Sequence, residues 1–507
     1  MQATKISAFR LLLRLAPAML ALVMCAPAAR AQSAGGWSDW LGNLGQTVDR
    51  LSEMAITPEQ ERQIAEAERP KILAQFGGEY PDPAIKDYVA NLVRTLGRAS
   101  ARPELEYRVT VLNSPVVNAF ALPAGHVYAT RGLLALAGSE AELAGVLAHE
   151  IGHVTARHTA QRYGRSLVVG SGTQLLGWLT GSASLQQAGE AAGMMWIQGF
   201  SREQEFQADE LGVATMARAG YDPLAMASFL AKLEQQDALQ ATLAGRKPGQ
   251  GDAFNLFATH PRTAERVERA IAQAGLAGAT EGREEHDAYL RRIDGLLYGD
   301  DPAQGIVRGR AFVHPALGFR FEVPEGFQLL NGQAEVTAAG PQGAVIRFDN
   351  AGEIYGGPMR GYIAERWGRQ ALLANLEPLA VNGMEGASAV TRLNTQGGPV
   401  DIRFTAIRFA PDRIYRFQFI APAQVAQAWG PEFGKVTGSF RRLSEQEARL
   451  AKPRRVALVR ADARDRVEGL AERFAATDHR AERFRALNGL KPDDQVAAGR
   501  LYKIVVE

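Results

Sequence analysis

The stretch Ser139-Glu-Ala-Glu142-Leu-Ala-Gly-Val-Leu-Ala-His149-Glu150-Ile-Gly-His153-Val-Thr-Ala-Arg-His158 restricts the fold of this 507-residue chain more than any other. Ser139 with Glu142 three residues later is a capping box, so a helix starts there. The helix is strongly apolar, yet it carries His149, Glu150 and His153, which are costly to bury without partners. His149 and His153 lie four apart, so both imidazoles project from one face, about one turn or ~5.4 Å apart along the axis. That geometry suits two ligands of one tetrahedral zinc. Glu150 follows the first ligand and can reach a water at the metal as general base.

A catalytic zinc needs a third protein ligand and an open fourth position. The metzincin solution requires a glycine and a histidine where this chain has Ala156 and Thr159, so it is excluded. Ser201-Arg-Glu-Gln204 is a second capping box, opening a helix over 201–220 that carries Glu205 and Asp209 four apart on one face. Glu205 can complete a zinc site, and Asp209 can orient a ligand histidine. Spacing alone leaves both acids equally open to being solvated surface charges.

Taken together, His149-Glu-Ile-Gly-His153 and Ser201-Arg-Glu-Gln-Glu-Phe-Gln-Ala-Asp209 closely resemble the gluzincin superfamily of CAAX prenyl proteases, HtpX and the periplasmic BepA-type peptidases. The resemblance covers residues 57–276. It implies one zinc per chain held by His149, His153 and Glu205, with Glu150 catalytic and Asp209 supporting a ligand. Val117-Asn118-Ala119-Phe120, before Pro123 and Gly125, is similar to the family's edge strand beside the metal. The unpaired backbone of such a strand can hold an extended peptide through Asn118, Ala119 and Phe120. Thr259-His260-Pro261 resembles a segment whose histidine lies near the metal, which implies a catalytic, oxyanion-stabilising role for His260. His158 fits the family's helix but stands five beyond His153, off the ligand face, and is read as having no role in the site.

Export is expected from residues 1–31. Lys5, Arg10 and Arg14 precede an apolar run from Leu15 to Met24, and Ala29-Arg-Ala31 fits a secretory cleavage site. Cys25, the one cysteine, follows Met24, a poor fit to a lipid-anchoring signal. Without the leader the chain carries 53 basic against 55 acidic side chains, which gives no case for a nucleic-acid partner. The expected location is the periplasm.

Residues 32–56 read as a lead-in and 57–276 as a mainly α zincin domain with a small edge sheet. Ser166–Gly189 has no charged side chain, but its Gly, Ser and Gln content argues against a membrane span. A helical hairpin near the active site is expected there, able to touch a membrane surface through 166–199. Residues 277–310 read as a linker with one short helix around 284–297. Residues 311–443 alternate like strands, with a couple of helices, and look α+β, faintly like a PsbP/Mog-type fold. Residues 454–507 resemble a divergent LysM module of βααβ order, with Ala463-Arg-Asp465 where the family has Gly-Asp-Thr. A peptidoglycan anchor and a protein-contact module weigh equally for it. The whole chain reads as an exported zinc endopeptidase acting on polypeptides, misfolded envelope proteins above all. The alternative is a non-proteolytic or latent chaperone, or a wall-bound scaffold.

Overall fold

The computed structural model describes residues 56–163, 199–243 and 282–507, apart from 333, 396, 397 and 477, together with 268, 271 and 272. The expected leader 1–31 with Cys25, the lead-in up to 55, the 166–198 stretch and His260 lie outside those residues.

The first core begins with α1 (Pro58–Gln75), whose first turn holds Pro58, Glu59 and Glu61. Proline has no N–H to lose there, and acids suit the positive end of a helix. Helix α2 (Pro83–Ala99) buries Ile85, Val89, Leu92, Val93 and Leu96 on one face. Asp82 caps it by accepting from the N–H groups of Ala84 and Ile85. Three strands follow: β1 (Arg108–Leu112), β2 (Ala119–Leu122) and β3 (His126–Thr130), in the order β1-β3-β2. β1 runs parallel to β3 and β2 antiparallel to it, so β2 is an edge strand.

Helices α3 (Arg131–Leu136), α4 (Glu140–Thr155), α5 (Arg202–Arg218) and α6 (Leu224–Leu243) complete the frame of the site. Every residue of α4 from Ala141 to Val154 is buried. Its cap differs from the expected box. Ser139 accepts from the Glu142 N–H, but the Glu142 carboxylate takes the Gly138 N–H (2.6 Å), Lys232 Nζ (2.7 Å) and the Ser228 hydroxyl (2.8 Å). Burial pushes this carboxyl up. The Lys232 ammonium and the added hydrogen bonds outweigh that and hold it below the ordinary glutamate value.

The stretch expected as a linker is instead, where described, built into this core. α7 (His286–Ile293) buries Tyr289, Leu290 and Ile293. The Tyr289 hydroxyl donates to Leu134 O (2.6 Å), and the buried Arg131 guanidinium donates to Leu297 O (2.7 Å) and Gly299 O (2.8 Å). A polar composition concealed one apolar stripe a single turn long.

The second core uses β5 (Ile306–Arg308), β6 (Ala311–His314), β7 (Phe319–Glu322), β8 (Gln328–Asn331), β9 (Glu335–Ala339), β10 (Val345–Asn350), β11 (Ala374–Val381), β12 (Met384–Thr395), β13 (Gly398–Ala410) and β14 (Arg413–Pro422). The seven-stranded sheet runs β11-β12-β13-β14-β10-β9-β8. The two-residue strand β15 (Arg441–Arg442) joins β7, β6 and β5 in a second sheet. Alternation along β7, β10 and β14 turns Phe319, Phe321, Phe348, Tyr415 and Phe417 inward, where they cluster with Phe312 and Phe440. Helix α8 (Ala426–Ser439) adds Phe433 and Val436. The opposite face of the long strands packs Met359, Tyr362 and Ile363. Strands with a few helices are what the pattern predicts for 311–443.

After α9 (Glu445–Leu450) the last unit runs β16 (Arg454–Arg460), α10 (Val467–Ala471), α11 (Arg480–Asn488) and β17 (Leu501–Val506). This is the strand–helix–helix–strand order read from the sequence. The unit is not a free appendage. β4 (Leu297–Tyr298) of the first core pairs with β16 as a third strand. Lys503 of β17 is buried and donates to Ala135 O (2.7 Å), Leu136 O (2.8 Å) and Ala137 O (2.8 Å), at the C-terminal end of α3. Three N–H donors meet three carbonyls left over by a helix end. Among the described residues no helix is long and apolar enough to cross a membrane.

Candidate active site

Two close helices set the site. A Cβ on Gly152 of α4 would lie 2.7 Å from Ala208 O of α5, and one on Gly212 of α5 would lie 3.1 Å from His149 N. A side chain at Gly152 would force the backbones apart, and one at Gly212 would crowd them. α5 starts where expected, with Ser201 and Gln204 forming a complete capping box. From that start Glu205 and Asp209 both face α4 and are buried.

His149 Nε2 and His153 Nε2 are 3.0 Å apart. Glu205 presents one oxygen 3.6 Å from His149 Nε2 and the other 3.5 Å from His153 Nε2. One ligating atom from each residue lies within 4.8 Å of the others. His149 Nδ1 is 2.7 Å from Asp209 Oδ1. A carboxylate only accepts, so Nδ1 carries the proton and Nε2 keeps its lone pair toward the cluster.

The donor set fits a divalent cation. Three carboxyl groups, Glu150, Glu205 and Asp209, sit among three imidazoles, each at 1% exposure or less. Such a concentration of buried negative charge is costly unless a cation is present. Two imidazole nitrogens and one carboxylate suit a borderline transition metal better than calcium or magnesium.

Four further residues belong to this site. Arg157 adopts φ 58° after α4 ends, and the helical turn resumes at His158. That left-handed residue redirects His158, whose Nδ1 lies 2.9 Å from His153 Nδ1. Uninterrupted helical geometry had placed it off the ligand face. His158 Nε2 in turn lies 3.0 Å from Gln207 Oε1. Phe200 stacks on the His153 ring at 3.9 Å between centroids and 23° between planes. No proline or glycine marks the break at Arg157, so the sequence carried no sign of it. Phe200 and Gln207 do stand beside or inside the second motif, and that was the available signal.

The edge strand is corrected in detail. Thr130 N donates to Asn118 O (3.0 Å), and β2 pairs Phe120 with Tyr128 and Ala119 with Ala129. Hydrogen-bonded and non-bonded pairs alternate along an antiparallel ladder, so the backbones of Asn118 and Phe120 point into the sheet. Those of Ala119 and Ala121 point outward. The Thr159 hydroxyl accordingly reaches Ala121 O at 3.1 Å. The Phe120 ring packs against Phe76 and Tyr128 at 5.5 and 5.0 Å and faces α1. Of the three residues expected to hold a peptide, Ala119 alone offers its backbone to the edge.

Residues 82–274 match the model of peptidase family M48. The mitochondrial metalloendopeptidase OMA1 of Schizosaccharomyces pombe is 30% identical over 206 residues, 40% of this chain and 56% of that protein. The beta-barrel assembly-enhancing protease of Escherichia coli is 30% identical over 224 residues, 42% of this chain and 43% of that protein. The chain spans about half the length of the curated relatives it matches. The solution structure of cyanobacterial PsbP from Synechocystis covers 25% of this chain and 86% of its own, at 14% identity and a TM-score of 0.21.

Proposed function

Residues 82–274 are a peptidase family M48 domain, and from that premise we propose that the chain is a zinc-dependent endopeptidase. The observation that carries this reading is the convergence of His149 Nε2, His153 Nε2 and Glu205 on one point, with Asp209 behind His149. His149, His153 and Glu205 would hold the zinc. When bound, the ion supplies a Lewis acid that polarises a scissile carbonyl and acidifies water beside it.

The chain's own groups do the rest. Glu150, one residue after His149 on α4, takes the proton of the attacking water and passes it to the leaving amine. Asp209 keeps the His149 ring in one tautomer and orientation. The outward N–H and C=O of Ala119 hold the substrate backbone extended beside α4 by strand addition. His260 is assigned to the oxyanion, on the family resemblance of its Thr-His-Pro segment.

The substrates proposed are unfolded or mis-assembled polypeptides of the cell envelope. Two features support that choice. A strand edge recognises any extended backbone, and the composition of residues 1–31 resembles that of an export signal. The names of the relatives, a mitochondrial metalloendopeptidase and a beta-barrel assembly-enhancing protease, support cleavage of polypeptides.

The test is metal content of the purified protein, wild type beside Glu205→Ala. About one zinc per chain is expected for the wild type, and none in the variant. Cleavage of an unfolded reporter should then require Glu150, with Glu150→Gln retaining zinc but not activity. A wild type that takes up no zinc after reconstitution defeats the proposal.

A further inference from the structure

We infer that His158 is the positioning residue of His153, doing with neutral groups what Asp209 does for His149 with a carboxylate. The inference rests on the metal site proposed above. It starts from proton bookkeeping along one line of atoms. If His153 Nε2 is to keep a lone pair for a metal, a neutral ring must carry its proton on Nδ1. That proton has an acceptor in line, His158 Nδ1 at 2.9 Å. His158 must then be protonated on Nε2, and that N–H meets Gln207 Oε1 at 3.0 Å. One tautomer at each ring satisfies every contact in the line.

The backbone is arranged to produce this contact. A residue five beyond His153 on an unbroken helix would lie away from it. Arg157 in the left-handed region brings His158 back, a conformation that a residue with a Cβ adopts only at a cost. The Arg157 guanidinium is tied to the buried Glu61 carboxylate of α1, with Nε 2.8 Å from Oε1. His158 itself is 1% exposed, and its ring meets His153 edge-on at 5.0 Å. Phe200, stacked on the His153 face, restrains the remaining tilt. His153 is therefore held along its edge by His158 and across its face by Phe200.

Asp209 adds a negative charge to a site that already buries Glu150 and Glu205. A second carboxylate behind His153 would add another. The imidazole–amide pair fixes the tautomer without doing so.

The experiment measures the zinc dissociation constant of the full-length protein by chelator competition, with apo-protein melting recorded alongside. His158→Phe keeps a ring and its packing but has no acceptor. His158→Asn loses the ring, but its Oδ1 stands where Nδ1 stood. Positioning predicts zinc binding weakened 10–100-fold in His158→Phe and restored to within about 3-fold of wild type in His158→Asn. A purely space-filling role predicts the reverse order. The exposed Gln207 offers a variant that leaves the core alone. Gln207→Glu supplies a stronger acceptor and should tighten zinc binding, which damage to the fold cannot do. The inference fails if His158→Phe binds zinc like wild type, or if His158→Asn binds no better than His158→Phe. If His158→Phe does not fold, Gln207→Glu decides: tighter binding upholds the inference and unchanged binding overturns it. A wild type that binds no zinc overturns the metal site and this inference together, whereas tight binding by both wild type and His158→Phe overturns this inference alone.

Discussion

Around α4 the first core buries His149, Glu150, His153, His158, Glu205 and Asp209, each at 1% exposure or less. The second core closes over Phe312, Phe319, Phe321, Phe348, Phe417 and Phe440. There His314 is the one buried imidazole, carboxylate or cation among the described residues of 311–443. Phe319 and Tyr415 lie 4.6 Å apart by centroid, and Phe348 and Phe417 4.7 Å. The aromatic core is held by packing, with no reacting group inside it. The helical core accepts a desolvation penalty at every site residue and recovers it only through specific partners. Reactivity and cheap burial are thus separated within one chain. The last unit combines the two kinds of burial, meeting the helical core through the buried Lys503 amine set on three carbonyls and through the apolar side chains of Val456 and Leu501.

The comparison can be broken most forcefully in the aromatic core. Phe348→Ala should cost about 4 kcal/mol of stability, since a large buried ring leaves a cavity. Metal stoichiometry of the folded fraction should stay unchanged. Loss of zinc in folded Phe348→Ala protein, seen by metal analysis after size exclusion, would show that the two cores are not separable.

Lys503→Met keeps the length and apolar stem of the side chain but leaves three carbonyls without their donor. A destabilisation of about 3 kcal/mol is expected in denaturant unfolding. Amide exchange should rise first in α3 and β17. A methionine variant as stable as wild type would mean that packing alone docks the last unit.

The smallest effect is a pH dependence. Burial lowers His314 to about 4, and its Nδ1 accepts the Leu317 N–H at 3.3 Å. In the unfolded chain it titrates near the ordinary histidine value of about 6.5. Between those values the unfolded state binds more protons, so stability falls as pH drops from about 6.5 toward 4. The loss should be about 2 kcal/mol, allowing for incomplete enclosure of the ring. His314→Asn keeps an acceptor for Leu317 and should flatten this part of the curve. An unflattened curve would assign the acid sensitivity to other groups.

How much was legible depended on whether the information was local. The helix start capped by Ser139, the capping box at Ser201, the four-residue spacing of His149 with His153 and of Glu205 with Asp209, and the alternation in β7, β10 and β14 are written in neighbouring residues. They were readable for that reason. Glu142 was misread because Lys232 and Ser228, ninety and eighty-six residues away, compete for its carboxylate. The short helix in 277–310 was legible, but its place in the first core was not, because its apolar stripe is one turn long and gains its value only against Leu134 and Arg131. Which backbone groups of residues 118–120 face outward was not legible, because strand composition does not state register.

By itself the sequence determined the helix that carries two histidines and a glutamate, the second helix with two acids, and the change from helical to alternating pattern beyond residue 311. Each follows from backbone periodicity and side-chain chemistry within a few turns. Only the tertiary structure decided that Gly152 and Gly212 let those helices close on one another, that Ala119 and not Phe120 faces the edge, and that His158 returns to His153. Those outcomes depend on van der Waals contact between distant segments and on one left-handed residue. A linear pattern cannot encode either until the chain is folded.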